Sequence, residues 1–299
     1  MKIIRTAHSM TAWSERLRRE GVTIGFVPTM GALHDGHRSL IRAARLRCDA
    51  LVVSIFVNPT QFSPTEDLSA YPRPIARDRA LCCEEGVDVC FEPTDQTIYP
   101  EGFQTIITVP ALANRWEGEA RPHHFAGVAT VVTKLFGIVR PHLAIFGQKD
   151  YQQAALIRQL VNDLNLGVTI LARPTVRERD GLALSSRNVY LSAEERRIAP
   201  LLSRALRAGR QVIVGGVRDV AAVERIMQQT IKQAPTVYAE YLAVCDPDNL
   251  EPLPAVAART VLLGAVRIGS IRLIDNLLVK IPGRKSALRV ERGIKALTD

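Results

Sequence analysis

His34 and His37, with Gly36 between them, close the run Val27-Pro28-Thr29-Met30-Gly31-Ala32-Leu33-His34-Asp35-Gly36-His37, directly after the apolar segment Val22 to Val27 and before an amphipathic helical stretch. A strand that ends in a glycine turn and opens a helix presents unpaired backbone N–H groups and the positive end of the helix dipole, an arrangement suited to phosphate oxygens. At i and i+3 the two imidazoles can face the same side. Neutral or protonated, they can donate hydrogen bonds to charge building on a phosphoryl group, and the reaction class this suggests is nucleotidyl transfer. Two loop histidines without a function remain the alternative. A zinc site is the weaker reading, because no cysteine or carboxylate ligand set accompanies the pair and the HExxH spacing is missing.

Three further polar clusters stand out, two directly after apolar segments and the third in the link between the two expected domains. Asn58-Pro59-Thr60-Gln61-Phe62 follows the segment Ala50 to Val57, and Gln61 can offer a donor and an acceptor to a small polar substrate. Gly147-Gln148-Lys149-Asp150-Tyr151-Gln152-Gln153 follows Phe146. There Lys149 can neutralise phosphate, Asp150 can accept from ribose hydroxyls while capping a helix, and Gln153 lies one turn on. Asp180 to Asn188 contains Ser185, Ser186 and Arg187, two hydroxyls and a guanidinium able to clamp a polyphosphate. Each run also reads as an ordinary turn. Their convergence is what favours one ligand, a nucleoside triphosphate, because open α/β sheets bind ligands outside the carboxyl ends of their strands.

The elements that would position these groups alternate. Candidate strands Val22 to Val27, Ala50 to Val57, Val87 to Glu92, Leu143 to Gly147 and Gly167 to Ala172 interleave with helical patterns at Thr11 to Glu20, Ala76 to Glu85, Gly127 to Val139 and Tyr151 to Leu164. In the helix after His37, Leu40, Ala44 and Cys48 recur every four residues, while Arg38, Arg42, Arg45 and Arg47 take the other side. Such alternation specifies βαβ units and a parallel sheet. After Pro174 the pattern changes. A capping box at Ser192-Ala193-Glu194-Glu195 opens a helix running toward Val214, Asp219 caps another, and Val237 to Val244, Thr260 to Ile268 and Ser270 to Leu273 read as antiparallel strands. The expected architecture is therefore α/β: a Rossmann-like parallel-sheet nucleotide-binding domain over 1–175, a smaller α+β lid domain over 176–283, and a basic C-terminal tail over 284–299.

Composition sets outer limits. The chain has 299 residues, 47% hydrophobic and 23% charged, which suits an ordinary two-domain soluble protein. No apolar stretch reaches the roughly 18 residues that span a bilayer, and the N-terminus has no secretory pattern, so the expected location is the cytoplasm, with no membrane partner. Five cysteines without a CxxC suit reduced, mostly buried thiols. A net charge of +9 admits nucleic acid, acidic substrates or solubility; with aromatics at 5% and no nucleic-acid motif, no nucleic-acid partner is expected.

Several runs, in order and spacing, resemble the pantothenate synthetase family, ATP-dependent ligases that join pantoate to β-alanine. They are the His34 to His37 run above, Ile55-Phe56-Val57-Asn58-Pro59-x-Gln61-Phe62, Tyr71-Pro72-Arg73, His124-Phe125-x-Gly127-Val128, Phe146-Gly147-x-Lys149-Asp150-Tyr151-Gln152-Gln153, Asp180-Gly181-Leu182-Ala183-x-Ser185-Ser186-Arg187-Asn188 and Arg272-Leu273-Ile274-Asp275-Asn276. The similarity extends from about residue 3 to 282. His-x-Gly-His alone would indicate only the wider nucleotidyltransferase superfamily with its HIGH-type motif, which includes class I aminoacyl-tRNA synthetases.

The resemblance implies two steps: pantoate attacks the α-phosphorus of Mg-ATP to give pantoyl adenylate, and the amine of β-alanine then displaces AMP. It implies that His34, His37 and Lys149 stabilise the transition state and that Ser185, Ser186 and Arg187 hold the departing phosphates. Pro28, Thr29, Met30, Gly31, Gly147, Asp150 and Val176 would complete the ATP site, and Gln61, Gln153 and Met30 would hold pantoate. Asp78 is the implied contact to Mg²⁺ or its water shell, with the cation held mainly by ATP phosphates. A homodimer is implied as well. Gln148 departs from the family's usual glutamate, which removes a negative charge beside Lys149. A related adenylate-forming enzyme with another acid or amine is the nearest rival.

Overall fold

The computed structural model describes residues 1–63 and 68–281. The expected tail over 284–299 lies outside them. Two compact units result, one comprising Met1–Arg179 with Ala183–Val189, the other Asp180–Leu182 with the chain from Tyr190 on. The boundary thus falls later than residue 175, and the Ser185 to Arg187 run belongs with the first unit.

The first unit is a parallel sheet of six strands in the order β1-β4-β3-β2-β5-β6: β1 (Lys2–Ile4), β2 (Ile24–Thr29), β3 (Ala50–Ile55), β4 (Val89–Phe91), β5 (Leu143–Gly147) and β6 (Thr169–Arg173). All but β1 were legible as apolar runs; β1, three residues long, is too short to show a period and exists through pairing with Val89 to Phe91. Helices α1 (Ala7–Arg19), α2 (Asp35–Arg45), α3 (Ile75–Glu84), α7 (His124–Val139) and α8 (Tyr151–Asp163) are its main helices, with short turns α4 (Asp95–Ile98), α5 (Pro110–Ala113) and α6 (Glu117–Ala120). Strands β2 and β3 stay paired out to Thr29 and Ile55, whereas β2 and β5 pair only at Gly25–Leu143 and Phe26–Ala144. Beyond that point they separate. The strand order also reverses there, which makes the carboxyl ends of β2 and β5 the topological switch point where α/β sheets take ligands.

Helix α2 packs Leu40, Ile41, Ala43 and Ala44 into a core with Val27, Leu51, Val53 and Ile145. Its arginines are partnered rather than merely solvated: Arg38 and Arg42 both reach Glu85 (2.8 and 2.7 Å), and Arg45 reaches Asp88 at 2.7 Å. All five cysteines are free thiols; Cys82, Cys90 and Cys245 are buried and Cys83 is exposed.

The second unit packs α9 (Ala193–Ile198), α10 (Leu201–Val214) and α11 (Val220–Ile231) with an antiparallel sheet β7-β8-β9 (Val237–Cys245, Arg259–Ile268, Ile271–Lys280), around Leu202, Leu206, Met227, Leu262 and Val266. The capping box at Ser192 and Glu195 forms as read. The single helix expected to run toward Val214 does not, because Pro200 has no N–H to continue α9 and instead starts α10. Among the described residues no helix is long and apolar enough to cross a membrane.

Candidate active site

The turn after β2 is a strained segment held by neighbours. Gly31 and Ala32 both have left-handed φ values, +80° and +48°. The Thr29 hydroxyl donates to Ser54 O (2.7 Å) and accepts from Gly31 N (3.2 Å). The buried Asp78 carboxylate, from α3, accepts from Ala32 N and Leu33 N, both at 2.8 Å. A Cβ on Gly31 would meet Asp78 Oδ2 at 3.0 Å. Burial pushes the Asp78 carboxyl up from its usual range, while these backbone donors pull it down. Asp78 does not line the cavity that gathers the other site residues; its two oxygens accept from the turn after β2.

Helix α2 is then opened by the two imidazoles themselves. His34 is the N-cap, and its Nδ1 accepts from Gly36 N at 3.1 Å; His37 Nδ1 accepts from His34 N at 3.3 Å. This is a reciprocal capping box in which rings replace the usual hydroxyl and carboxylate. A nitrogen that accepts has no proton, so the bonds assign the proton of both neutral rings to Nε2. Burial, reinforced by Lys149, lowers His34 to a pKa of about 4; burial and its neighbour His34 lower His37 to about 3. Of the two protonation states left open by the sequence, the neutral one therefore holds at ordinary pH. The rings stand 4.2 Å apart between centroids. Gly36 makes the arrangement possible, since a Cβ there would lie 2.7 Å from His34 Cε1.

One cavity of about 240 Å³ brings together Pro28, Thr29, Met30, His34, His37, Gln61, Gly147, Lys149, Asp150, Gln153, Val176, Ser185, Ser186 and Arg187. Of the predicted site residues only Gly31 and Asp78 stand outside, both lining a neighbouring cavity behind the turn. The Lys149 ammonium contacts Asp150 Oδ1 at 3.4 Å. Burial pulls the Asp150 carboxyl up, but the adjacent ammonium outweighs it and leaves the group below its ordinary value. Asp150 occupies the N-cap of α8 without a side-chain cap bond, so its expected capping role is not realised; its side chain meets Lys149 instead. Gln148 is not in the cavity lining, and its N–H joins Arg173 O at 2.8 Å.

Ser185 Oγ accepts from Arg187 N at 3.3 Å at the start of a 3-10 turn over Ser186–Tyr190. Tyr71 lies beside this segment, its hydroxyl 3.4 Å from Ser186 Oγ and its ring 6.0 Å from the Arg187 guanidinium carbon. Gln61, buried at the end of the 3-10 turn Pro59–Gln61, directs Nε2 at Met30 Sδ (2.7 Å) and receives Asn58 Nδ2 on Oε1 (3.2 Å). The Asn58 amide is itself oriented by Gly127 O (3.1 Å) and the Tyr99 hydroxyl (2.8 Å). With one N–H and one oxygen lone pair engaged, the Gln61 amide keeps one donor and one acceptor site. Arg121, His124, Asn58 and Tyr71 line the cavity but carried no role in the sequence reading. The runs Tyr71-Pro72-Arg73 and His124-Phe125-x-Gly127-Val128 were the available signal.

The ensemble combines two neutral Nε2–H donors, a helix N-terminus, an ammonium and a serine-arginine segment around one crevice, a set able to bind a polyphosphate and stabilise charge growing on one phosphorus. Comparison with known proteins agrees with this chemistry. The family model for pantoate-beta-alanine ligase matches residues 2–278. The pantothenate synthetase of Heliobacterium modesticaldum is 51% identical over 281 residues, covering 94% of this chain and 100% of that one. The crystal structure of pantothenate synthetase from Thermus thermophilus superposes with a TM-score of 0.88 at 47% identity, covering 93% of this chain and 99% of that one. A structure of pantoate-beta-alanine ligase from Francisella tularensis, described as complexed with beta-gamma ATP and beta-alanine, has a TM-score of 0.77 at 36% identity, with 93% and 97% covered. With a fold, a crevice and a full-length match that all agree, the chain belongs to the pantoate-beta-alanine ligase family.

Proposed function

We propose that the protein condenses pantoate with β-alanine at the expense of ATP, in two steps within the crevice between β2 and β5. A pantoate carboxylate oxygen attacks the α-phosphorus, the bond to the bridging oxygen breaks, and pyrophosphate leaves with its electron pair. The β-alanine amine then attacks the acyl carbon of the adenylate, loses a proton, and expels AMP. The observation that carries this reading is the paired capping box, which fixes both rings with Nε2–H as the remaining donor at a helix N-terminus in the cavity that Lys149 also lines.

His34 and His37 act as neutral hydrogen-bond donors to the α-phosphate oxygens and Lys149 as the cation for the developing charge. Ser185, Ser186 and Arg187 receive the pyrophosphate, Gln61 and Gln153 hold pantoate with Met30 at the same pocket, and Asp150 with Gly147 meets the ribose. Pro28, Thr29 and Val176 complete the nucleotide wall. Among the described residues Asp150 is the sole carboxylate lining this cavity, so the chain offers Mg²⁺ no cage, and the cation enters on the ATP phosphates. A homodimeric, cytoplasmic enzyme is part of the same proposal, with light scattering on the purified chain testing the first and cell fractionation the second.

The test is product release from Mg-ATP with no acid, with pantoate, and with pantoate plus β-alanine. Pyrophosphate release that requires pantoate, and continued AMP release that requires β-alanine, are expected. ATP turnover indifferent to pantoate would overturn the proposal.

A further inference from the structure

We infer that His124 and Arg121 are positioning residues that clamp the Gln61 main chain and thereby set the Gln61 amide for the acid substrate. The inference rests on the reading of Gln61 as a pantoate-holding group. Gln61 is the last residue of the 3-10 turn Pro59–Gln61. Two side chains from about sixty residues further along meet its carbonyl: Arg121 Nη2 donates to Gln61 O at 3.2 Å, and His124 Nδ1 lies 3.0 Å from the same oxygen.

A carbonyl oxygen only accepts, so the His124 proton sits on Nδ1, the opposite tautomer to that of His34 and His37. The His124 Nε2 lone pair then faces Arg121 Nη1 at 3.2 Å, and the guanidinium, which only donates, supplies that bond. The three groups close a ring in which each fixes the other two. Gly127, one turn beyond His124, lets α7 approach, since a Cβ there would lie 2.5 Å from Thr60 O. The same glycine's carbonyl orients Asn58 and, through it, the Gln61 side chain. Main chain and side chain of Gln61 are thus both registered to the first turn of α7. Without the clamp on its carbonyl the turn can rotate, and the amide loses its aim at the substrate while the phosphate chemistry at α2 is left intact.

The experiment is steady-state kinetics with pantoate varied at saturating ATP and β-alanine, alongside thermal unfolding, for wild type, Gln61→Ala, His124→Leu, His124→Asn and His124→Gln. An Asn amide nitrogen reproduces the Nδ1 donor; a Gln amide reaches the Nε2 position and loses it. The expected result is a rise of about 10-fold in pantoate KM for His124→Leu and His124→Gln, the scale of one lost hydrogen bond at a substrate-positioning group, with kcat and ATP KM within about twofold of wild type. His124→Asn should restore pantoate KM to within about threefold of wild type. An unchanged pantoate KM in both Leu and Gln variants, parallel loss of kcat and ATP affinity, or failure of Asn to outperform Gln would each overturn the clamp. If His124→Leu does not fold, the Asn and Gln pair decides alone. Gln61→Ala separates the two readings: an unchanged pantoate KM there refutes the role of Gln61 itself, whereas a raised one with unaffected His124 variants refutes only the clamp.

Discussion

Replacing His34 by asparagine separates two jobs that one imidazole performs. Its Nδ1 caps α2 by accepting from Gly36 N at 3.1 Å, which leaves Nε2–H as the ring's donor, and the residue lines the cavity where the proposed mechanism uses that donor. Asparagine is among the best N-caps, and its amide oxygen sits where Nδ1 was, so folding stability should change by less than about 1 kcal/mol. The amide stops short of the Nε2 position. Loss of one preorganised donor to a developing oxyanion costs about 10²- to 10³-fold in kcat, or roughly 2.7–4 kcal/mol. His34→Gln inverts the trade: the amide nitrogen reaches the Nε2 position but the cap is lost, so stability should fall by about 1 kcal/mol while more activity survives. The assay is pantoate-dependent pyrophosphate release, paired with denaturant unfolding of each variant. Because the wild-type pKa is held at about 4, the ring is neutral across the assay range, and the defect should not depend on pH between about 5.5 and 8. An Asn variant within about threefold of wild-type kcat would refute the donor role, as would a defect that grows steadily below pH 7, since the cation would then be the working form.

The same two rings make stability depend on pH. Their folded pKa values lie below the ordinary 6.5, so the unfolded chain takes up protons first and stability falls as pH drops from about 6.5 toward about 4 for His34 and about 3 for His37. For His34 the loss is on the order of 3 kcal/mol, and the slope of unfolding free energy against pH should flatten in His34→Asn; an equal slope would refute burial of the neutral ring. Gly36→Ala should lower kcat by at least about tenfold at nearly unchanged stability, because the Cβ displaces the His34 ring while alanine favours the helix, and full activity would show the ring position to be unimportant. Asp78→Asn turns an amide donor toward the Ala32 and Leu33 N–H groups and should cost about 1–3 kcal/mol of stability together with kcat. The Mg²⁺ concentration for half-maximal rate should stay within about twofold in that variant if Asp78 serves only the turn, and a large rise would show it to be a cation contact.

Much of the site was legible in local sequence because its parts lie at element ends. The strand-turn-helix at Val27 to His37 identifies itself by an apolar run, a glycine and the start of amphipathic periodicity, and β5 with Gly147 to Asp150 does so in the same way. Period and punctuation specify where strands stop, and parallel sheets bind ligands where strands stop. The helix expected toward Val214 was misread because the capping box and apolar spacing on either side of Pro200 outweighed the proline that divides them.

The sequence by itself thus determined the α/β architecture, most of the residues that gather at one crevice and the family. Tertiary structure decided what each polar side chain does, because hydrogen-bond partners come from segments that no local pattern connects. Asp78, 45 residues from Leu33, anchors the turn by accepting from its backbone, a role no local pattern announces. The tautomers of His34, His37 and His124 follow only from which backbone groups face their ring nitrogens. The neutrality of the first two comes from burial, a property of the packed chain that residue type and spacing do not encode.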